Sequence, residues 1–386
     1  MNILRLRIDK NTHIYLLLFG MLPIFFAQPF KNATIVSLGT TIVVGATLLA
    51  AFNGFLVRGM KESKDSLRRN DSILVFLIMS AAMSFIYGGR YSYSRIVPLI
   101  CFLECPILLF SAKQSAKKIR MLIYIMFYVF SLYCIYVYFS PEAYKYMNKY
   151  GVTEIDELTL GLPNPNQTAM YLLAVFFVLC IAITEAKKNL TKVPFAFSAV
   201  IMLYFIYLTK SRTALVIAGG FVVFLLPVVN KRFSKILVKV SLIVPIVFAG
   251  LLIVFKDFFA SILFMDEILD TGRVEIFSEA LNSLTVSKVF LGNYEQYASH
   301  NLHNIFISIF VEYGIITAIL FVFFMKHAIT KVMFHFSTQN KRRMLASVGF
   351  ALLMIFSSTE AAFYIGGSIY AGFVFVIYYL CLPTDV

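Results

Sequence analysis

Few polar side chains in this chain of 386 residues stand where they could act on a substrate: arginines, histidines and isolated acids. Arg212 lies in the short stretch from Thr209 to Thr213, between two apolar runs. Ser211 can cap the helix that follows, which puts Arg212 in its first turn. Backbone N–H groups point outward there, and a guanidinium beside them makes a ready anion site. The other reading of Arg212 is an interfacial anchor, its stem along apolar surface and its head at lipid phosphate. Arg273 follows Asp270, Thr271 and Gly272. It is either a second anion ligand or a surface residue paired with Asp270 or Glu275.

His300 and His303 are three apart at the start of another apolar run, with Asn304 next. A helix N-terminus disfavours added positive charge and so lowers a histidine pKa. An imidazole kept neutral near pH 7 can accept a proton. The other reading is a histidine that caps the helix at the membrane surface. Glu312 and Glu104 lie inside apolar stretches. Buried acids in a membrane are costly and often functional. The alternative for each is a protonated structural acid bonded to a neighbouring helix. Two guanidiniums suit a pyrophosphate, and a neutral imidazole suits a hydroxyl about to lose its proton. Together they describe group transfer from a lipid pyrophosphate to an alcohol, provided that all three groups face one side of a membrane.

The elements that must position them are membrane helices. Hydrophobic residues make up 60% of the chain, mean hydropathy is +0.82 and only 14% of residues are charged. A soluble domain carries about 25% charge. Apolar runs mark about a dozen spans, near 14–30, 34–57, 72–88, 96–112, 121–140, 168–184, 193–209, 213–229, 236–255, 304–325, 344–359 and 366–382. The expected fold is a single polytopic all-α membrane domain over residues 1–386. The first run has no small-residue cleavage site and reads as a retained helix. Trp is absent, so Tyr is left to serve the interfacial belt. Cys101, Cys105, Cys134, Cys180 and Cys381 all fall in apolar runs and read as small hydrophobes. The sequence has no CxxC, no HExxH and no carboxylate cluster suited to a metal.

Loop charges set the orientation. With the N-terminus inside, the inner segments hold 24 of the 34 Lys and Arg, an asymmetry that fits the positive-inside rule. Both termini are then cytoplasmic. The net charge of +14 becomes a topology signal rather than a sign of nucleic-acid binding. Outside remain ten cations, among them Lys210, Arg212 and Arg273. Two long outer loops follow the fifth and ninth helices, at 141–167 and 256–303. The second has room for a short amphipathic helix near 273–284. Short inner loops leave no space for a nucleotide-binding domain.

Three segments resemble the O-antigen polymerase and O-antigen ligase superfamily: SRTALVIAGG, TGRVEIFSEAL and HNIFISIFVEYGIIT. In the last, His303 and Asn304 are followed by Gly314 and Thr317 at a spacing similar to the ligase signature, which many polymerases share. The resemblance spans residues 161–317. It implies a bacterial inner-membrane glycosyltransferase of GT-C-like fold, whose donor is a glycan on undecaprenyl pyrophosphate on the periplasmic side. It also implies no metal, nucleotide or other cofactor. The family's paired arginines map onto Arg212 and Arg273 as phosphate ligands, and its histidine onto His303 as general base. Lys210, His300, Asn304 and Glu312 are supporting candidates, with His300 or Asn304 orienting the imidazole. The implied partners are the lipid-linked donor, an acceptor glycan on a second lipid-linked unit or on lipid A–core, membrane lipids and a chain-length regulator protein. The segment GLPNPNQTAMYL looks like a stretch ahead of a helix in many polymerases, and the 256–303 loop is compact for a ligase. Polymerase is the first expectation, ligase the second, and a lipid-linked oligosaccharide flippase or transporter the third.

Overall fold

The computed structural model describes residues 116–140, 143–149, 152–162, 164–229, 273–293, 302, 304–336, 340–359, 376–377 and 380–381. The spans expected at 14–30, 34–57, 72–88, 96–112 and 236–255 lie outside these residues, as does nearly all of 366–382. Glu104, His300, His303 and the side chain of Arg273 also lie outside them. Eight helices are described: α1 (Ala116–Tyr138), α2 (Pro165–Glu185), α3 (Asn189–Leu208), α4 (Arg212–Val229), α5 (Arg273–Asn282), α6 (Val286–Leu291), α7 (Ile305–Phe336) and α8 (Lys341–Thr359). A hairpin of β1 (Tyr144–Lys149) and β2 (Val152–Leu158) stands between α1 and α2.

Three of the described helices, α1 to α3, are long and apolar enough to cross a membrane by length and composition. The 21 residues of α2 rise about 31 Å, close to the ~30 Å of a hydrocarbon core. Its start is fixed by chemistry that hydropathy does not see. Asn164 Oδ1 accepts the Asn166 N–H at 2.8 Å, and Pro165 takes the first helical position. Every residue from Thr168 to Ala182 is buried. A helix that is apolar all round belongs at the centre of a bundle. Its neighbours are two-sided. On α3, Val193, Phe197, Val200, Tyr204 and Tyr207 are exposed at alternating steps of four and three, a lipid-facing stripe. Met121, Ile125, Val129, Leu132 and Tyr136 make a similar stripe on α1.

The centre of the bundle is an aromatic stack. Phe177 of α2 lies 4.1 Å from Phe221 of α4, at an interplanar angle of 24°. A Cβ on Gly349 of α8 would sit 3.1 Å from the Phe177 ring and 3.4 Å from that of Phe221. Glycine there lets α8 close against both helices. Cys134, Cys180 and Cys381 are buried free thiols, packed as the small hydrophobes expected of them.

Helix ends meet in two groups. Glu185, the last residue of α2, lies 3.4 Å from Arg120 Nε and 3.7 Å from Arg342 Nε, and accepts the Tyr124 hydroxyl at 2.8 Å. Thus the first turns of α1 and α8 and the last turn of α2 share one end of the bundle. At the opposite end, Tyr138 of α1 stacks on Phe205 of α3 at 4.8 Å. There the Ala143 carbonyl accepts the N–H groups of Thr159 and Leu160, and the Thr168 hydroxyl donates to the Thr159 carbonyl at 2.6 Å.

The hairpin gives strands to the 141–167 segment, which was expected as a loop in an all-α fold. Its strands pair antiparallel, with Tyr144 opposite Leu158 and Tyr146 opposite Asp156, and the register slips between Met147 and Lys149. The β-branched residues Val152, Thr153 and Ile155 suit a pleated ribbon. The polar share that hid it from a hydropathy scan is what a strand pair outside the hydrocarbon should carry. β2 packs against α2 and α3.

Candidate functional site at the helix N-termini

Arg212 opens α4, as its place after Ser211 predicts. The turn before it is tight. Lys210 takes a left-handed conformation, φ 55°. The Thr209 hydroxyl donates to the Ile206 carbonyl at 2.7 Å and accepts the Ser211 N–H at 3.3 Å. Ser211 holds the N-cap position, and its carbonyl accepts the Leu215 N–H at 3.1 Å. The hydroxyl that ties this turn together is therefore that of Thr209, where Ser211 was expected to serve. Thr209 and Ser211 are buried, while Lys210 and Arg212 are half-buried at the mouth of the turn.

Arg273 is the first residue of α5, and α5 lies where a short helix was expected. Ala280, two turns on, is fully buried in a small cluster with Leu302 and Val311, and Leu284, Ile307 and Phe310 pack around it. That cluster fastens the Arg273 helix to the first turns of α7. Seven residues separate positions 273 and 280, so they share a helical face about 10 Å apart along the axis.

Asn304 caps α7. Its Oδ1 accepts the N–H groups of Phe306 at 2.9 Å and Ile307 at 3.1 Å, and its carbonyl accepts the Ser308 N–H at 2.9 Å. These bonds satisfy donors that would otherwise be left over at the helix start. Asn304 was a candidate to orient the His303 ring, and the structure shows its Oδ1 capping the helix start. His303 falls between Leu302, which is buried in the α5 cluster, and this cap.

α7 covers the span expected at 304–325 and bends within it. Gly314 takes φ 81° and ψ 174°, which divides it into two arms. The Phe306 and Phe321 rings lie 5.5 Å apart. In a straight helix residues fifteen apart are about 22 Å from each other along the axis, so the arms turn sharply. The Thr317 hydroxyl donates back across the bend to the Tyr313 carbonyl at 3.1 Å. Glu312 is buried beside the bend.

The segment after α6 crosses this bend closely. A Cβ on Gly314 would run into the Phe290 carbonyl, and one on Gly292 would run into the Glu312 carbonyl. The Asn293 N–H donates to the Val311 carbonyl at 2.7 Å. Sequence reasoning missed both Gly292 and Asn293. The glycine just after Val289, Phe290 and Leu291 was the available signal, being the usual residue past a helix end.

The structure thus brings α5, α6, Asn304 and Glu312 into one packed unit. Lys210 and Arg212 belong to a separate turn of the bundle. α4 packs on α8, and α8 on α7, so the two parts are joined through α8. Among the described residues, no group of three His, Cys, Asp or Glu could hold a metal ion.

These features define a helical membrane protein with cationic residues at two helix N-termini and a bent, capped helix beside one of them. Residues 197–322 match the family described as O-antigen ligase, so this segment is similar to the O-antigen ligase and polymerase proteins. The match covers about a third of the chain and holds Arg212, Arg273, His303, Gly292 and Gly314. No curated protein matches the chain.

Proposed function

We propose that this protein is an O-antigen polymerase. It joins oligosaccharide repeat units carried on undecaprenyl pyrophosphate at the periplasmic face of the bacterial inner membrane, during lipopolysaccharide synthesis. The carrying observation is the division of labour within residues 303–317. Asn304 caps the helix, Gly314 allows the bend and Thr317 ties it. In this reading the chemistry falls to His303, just ahead of the cap.

In this reading the donor pyrophosphate lies against Arg212 and Arg273, which stabilise the charge that grows on the leaving phosphate. The acceptor hydroxyl attacks the anomeric carbon while His303 takes its proton. The bond from that carbon to the phosphate oxygen breaks, and the carrier leaves as the lipid pyrophosphate. Direct displacement inverts the anomeric centre. The chemistry uses no metal. Lys210 adds positive potential at the mouth of the α4 turn, and Glu312 lies at the far end of the arm that Asn304 begins.

Ligation to lipid A–core is the second reading, and the name of the matched family favours it. Deleting the gene and running the lipopolysaccharide on a gel separates the two. A core bearing a single repeat unit supports a polymerase. A bare core with polymer still on the carrier means a ligase. Unchanged chains exclude both. Purified protein that forms glycosidic bonds in detergent, with no sealed compartment, would exclude a flippase.

A further inference from the structure

Helix α6 carries apolar residues that the protein itself does not cover. Val286 and Phe290 are 79% and 53% exposed, and their spacing of four puts them on one face. Leu291 beside them is also exposed. In the sequence this helix belongs to a loop expected outside the membrane, where such a patch would face water. Soluble surfaces rarely leave one bare.

Two observations identify what covers it. The first is continuity. The backbone of Phe290 lies against Gly314, where the second arm of α7 begins. That arm exposes Ile316, Ile319, Val322 and Phe323, whose i, i+3 and i+4 spacing marks a lipid-facing stripe. Phe306 of the first arm is exposed as well, with its ring against Phe321. The α6 helix therefore adjoins the start of the arm that carries this stripe. The second is the polar content of α6. Lys288 is its one charged residue and is half-buried. A lysine stem along apolar surface with its head at the phosphate layer is common at a membrane boundary.

We propose that α6 is an interfacial helix, with Val286, Phe290 and Leu291 set into the headgroup–acyl boundary of the leaflet that the Gly314 bend adjoins. The occupant of this face is lipid. Short apolar-faced helices of this kind lie in the plane of the boundary, some 5–10 Å deep. The inference does not depend on the chemistry proposed for His303. It does place the unit that carries Arg273 at the depth where a lipid's phosphates lie.

The chain contains no Trp, so one introduced residue reports without background. Val286→Trp and Phe290→Trp would be placed singly in the full-length protein, in nanodiscs of ordinary or tail-brominated phosphatidylcholine. Val322→Trp serves as a lipid-facing reference and Phe177→Trp as a buried one. The expected result is blue-shifted emission at 286 and 290, a loss of fluorescence in brominated lipid comparable to that at 322, and little quenching by aqueous iodide. Red-shifted emission quenched by iodide and untouched by brominated lipid would overturn the proposal. Protection from both quenchers would also overturn it, because protein would then be covering the face. Leu291→Trp takes the place of either variant that does not fold.

Discussion

Gly292 and Gly314 pass one another backbone to backbone, each occupying space that the other's segment would need for a side chain. A Cβ at 292 meets the Glu312 carbonyl, and a Cβ at 314 meets the Phe290 carbonyl. Both residues have positive φ, 84° and 81°. With ψ near 170° this region of backbone space is almost closed to other residues, at a cost of about 1–3 kcal/mol. Gly292→Ala and Gly314→Ala should therefore each push α6 off the bend. The expected outcome is a large loss of glycan extension from protein that still inserts, with new protease cleavage between 273 and 293. Gly219→Ala, where nothing lies within 4 Å of the added Cβ, should be silent in both measurements.

The Asn304 cap gives a sharper test of a single side chain. An amide that orients a catalytic ring and an amide that caps a helix respond differently to serine. Serine can cap but has a different reach. Asn304→Ser should keep most activity and Asn304→Ala should lose it, along with about 0.5–2 kcal/mol of stability. Thermal unfolding of both variants in detergent, set beside their rates, checks this. Equal loss of rate in both with unchanged unfolding would return Asn304 to the reaction.

What the sequence made legible follows from which physics is local. Apolar runs place α1 to α4 within a few residues, because burial in lipid is set by composition over about twenty positions. Caps shift the ends. Asn164 starts α2 three residues ahead of the apolar run at 168, and Asn340 accepts the Arg343 N–H at 3.2 Å to start α8 ahead of 344. The bend in α7 was not legible, since one glycine in an apolar run reads as tolerated. Only the Phe290 carbonyl above it explains why that glycine must be there. The Arg120, Glu185 and Arg342 cluster was also hidden, because its members are far apart in sequence and each reads as an ordinary inner-loop charge. The site was legible as residue types at helix starts. Their division between the α4 turn and the α5–α7 unit needed the fold.

That division gives the arginines distinguishable behaviour. Arg212→Ala and Arg273→Ala should each slow chain extension by about 10²–10³, the usual loss when one donor to a developing oxyanion is removed. Arg273 rides with the α5 cluster, so Ala280→Leu, which overfills it, should mimic Arg273→Ala. It should leave a defect already caused by Arg273→Ala nearly unchanged. Ala280→Leu should add fully to Arg212→Ala. Rates of the three single and two double variants with a lipid-linked donor in detergent decide this. Equal additivity on both arginines would mean that the α5 cluster does not position Arg273.

Glu185 faces two guanidiniums at the end of the bundle away from the proposed site. Arg342 is almost wholly buried, and Glu185 is its acidic neighbour at 3.7 Å. Removing one partner of a buried pair leaves a charge without its counterion, at a cost of about 3–5 kcal/mol, whereas replacing both is far milder. Glu185→Gln should thus lower the unfolding midpoint markedly. Adding Arg342→Met should recover part of that loss, a coupling of about 0.5–3 kcal/mol between residues in contact. Glu185→Gln protein that remains folded should still turn over, because the network holds α1, α2 and α8 together and touches none of the helix starts of the proposed site. A variant with a normal midpoint and no turnover would show that this end of the bundle takes part in the reaction.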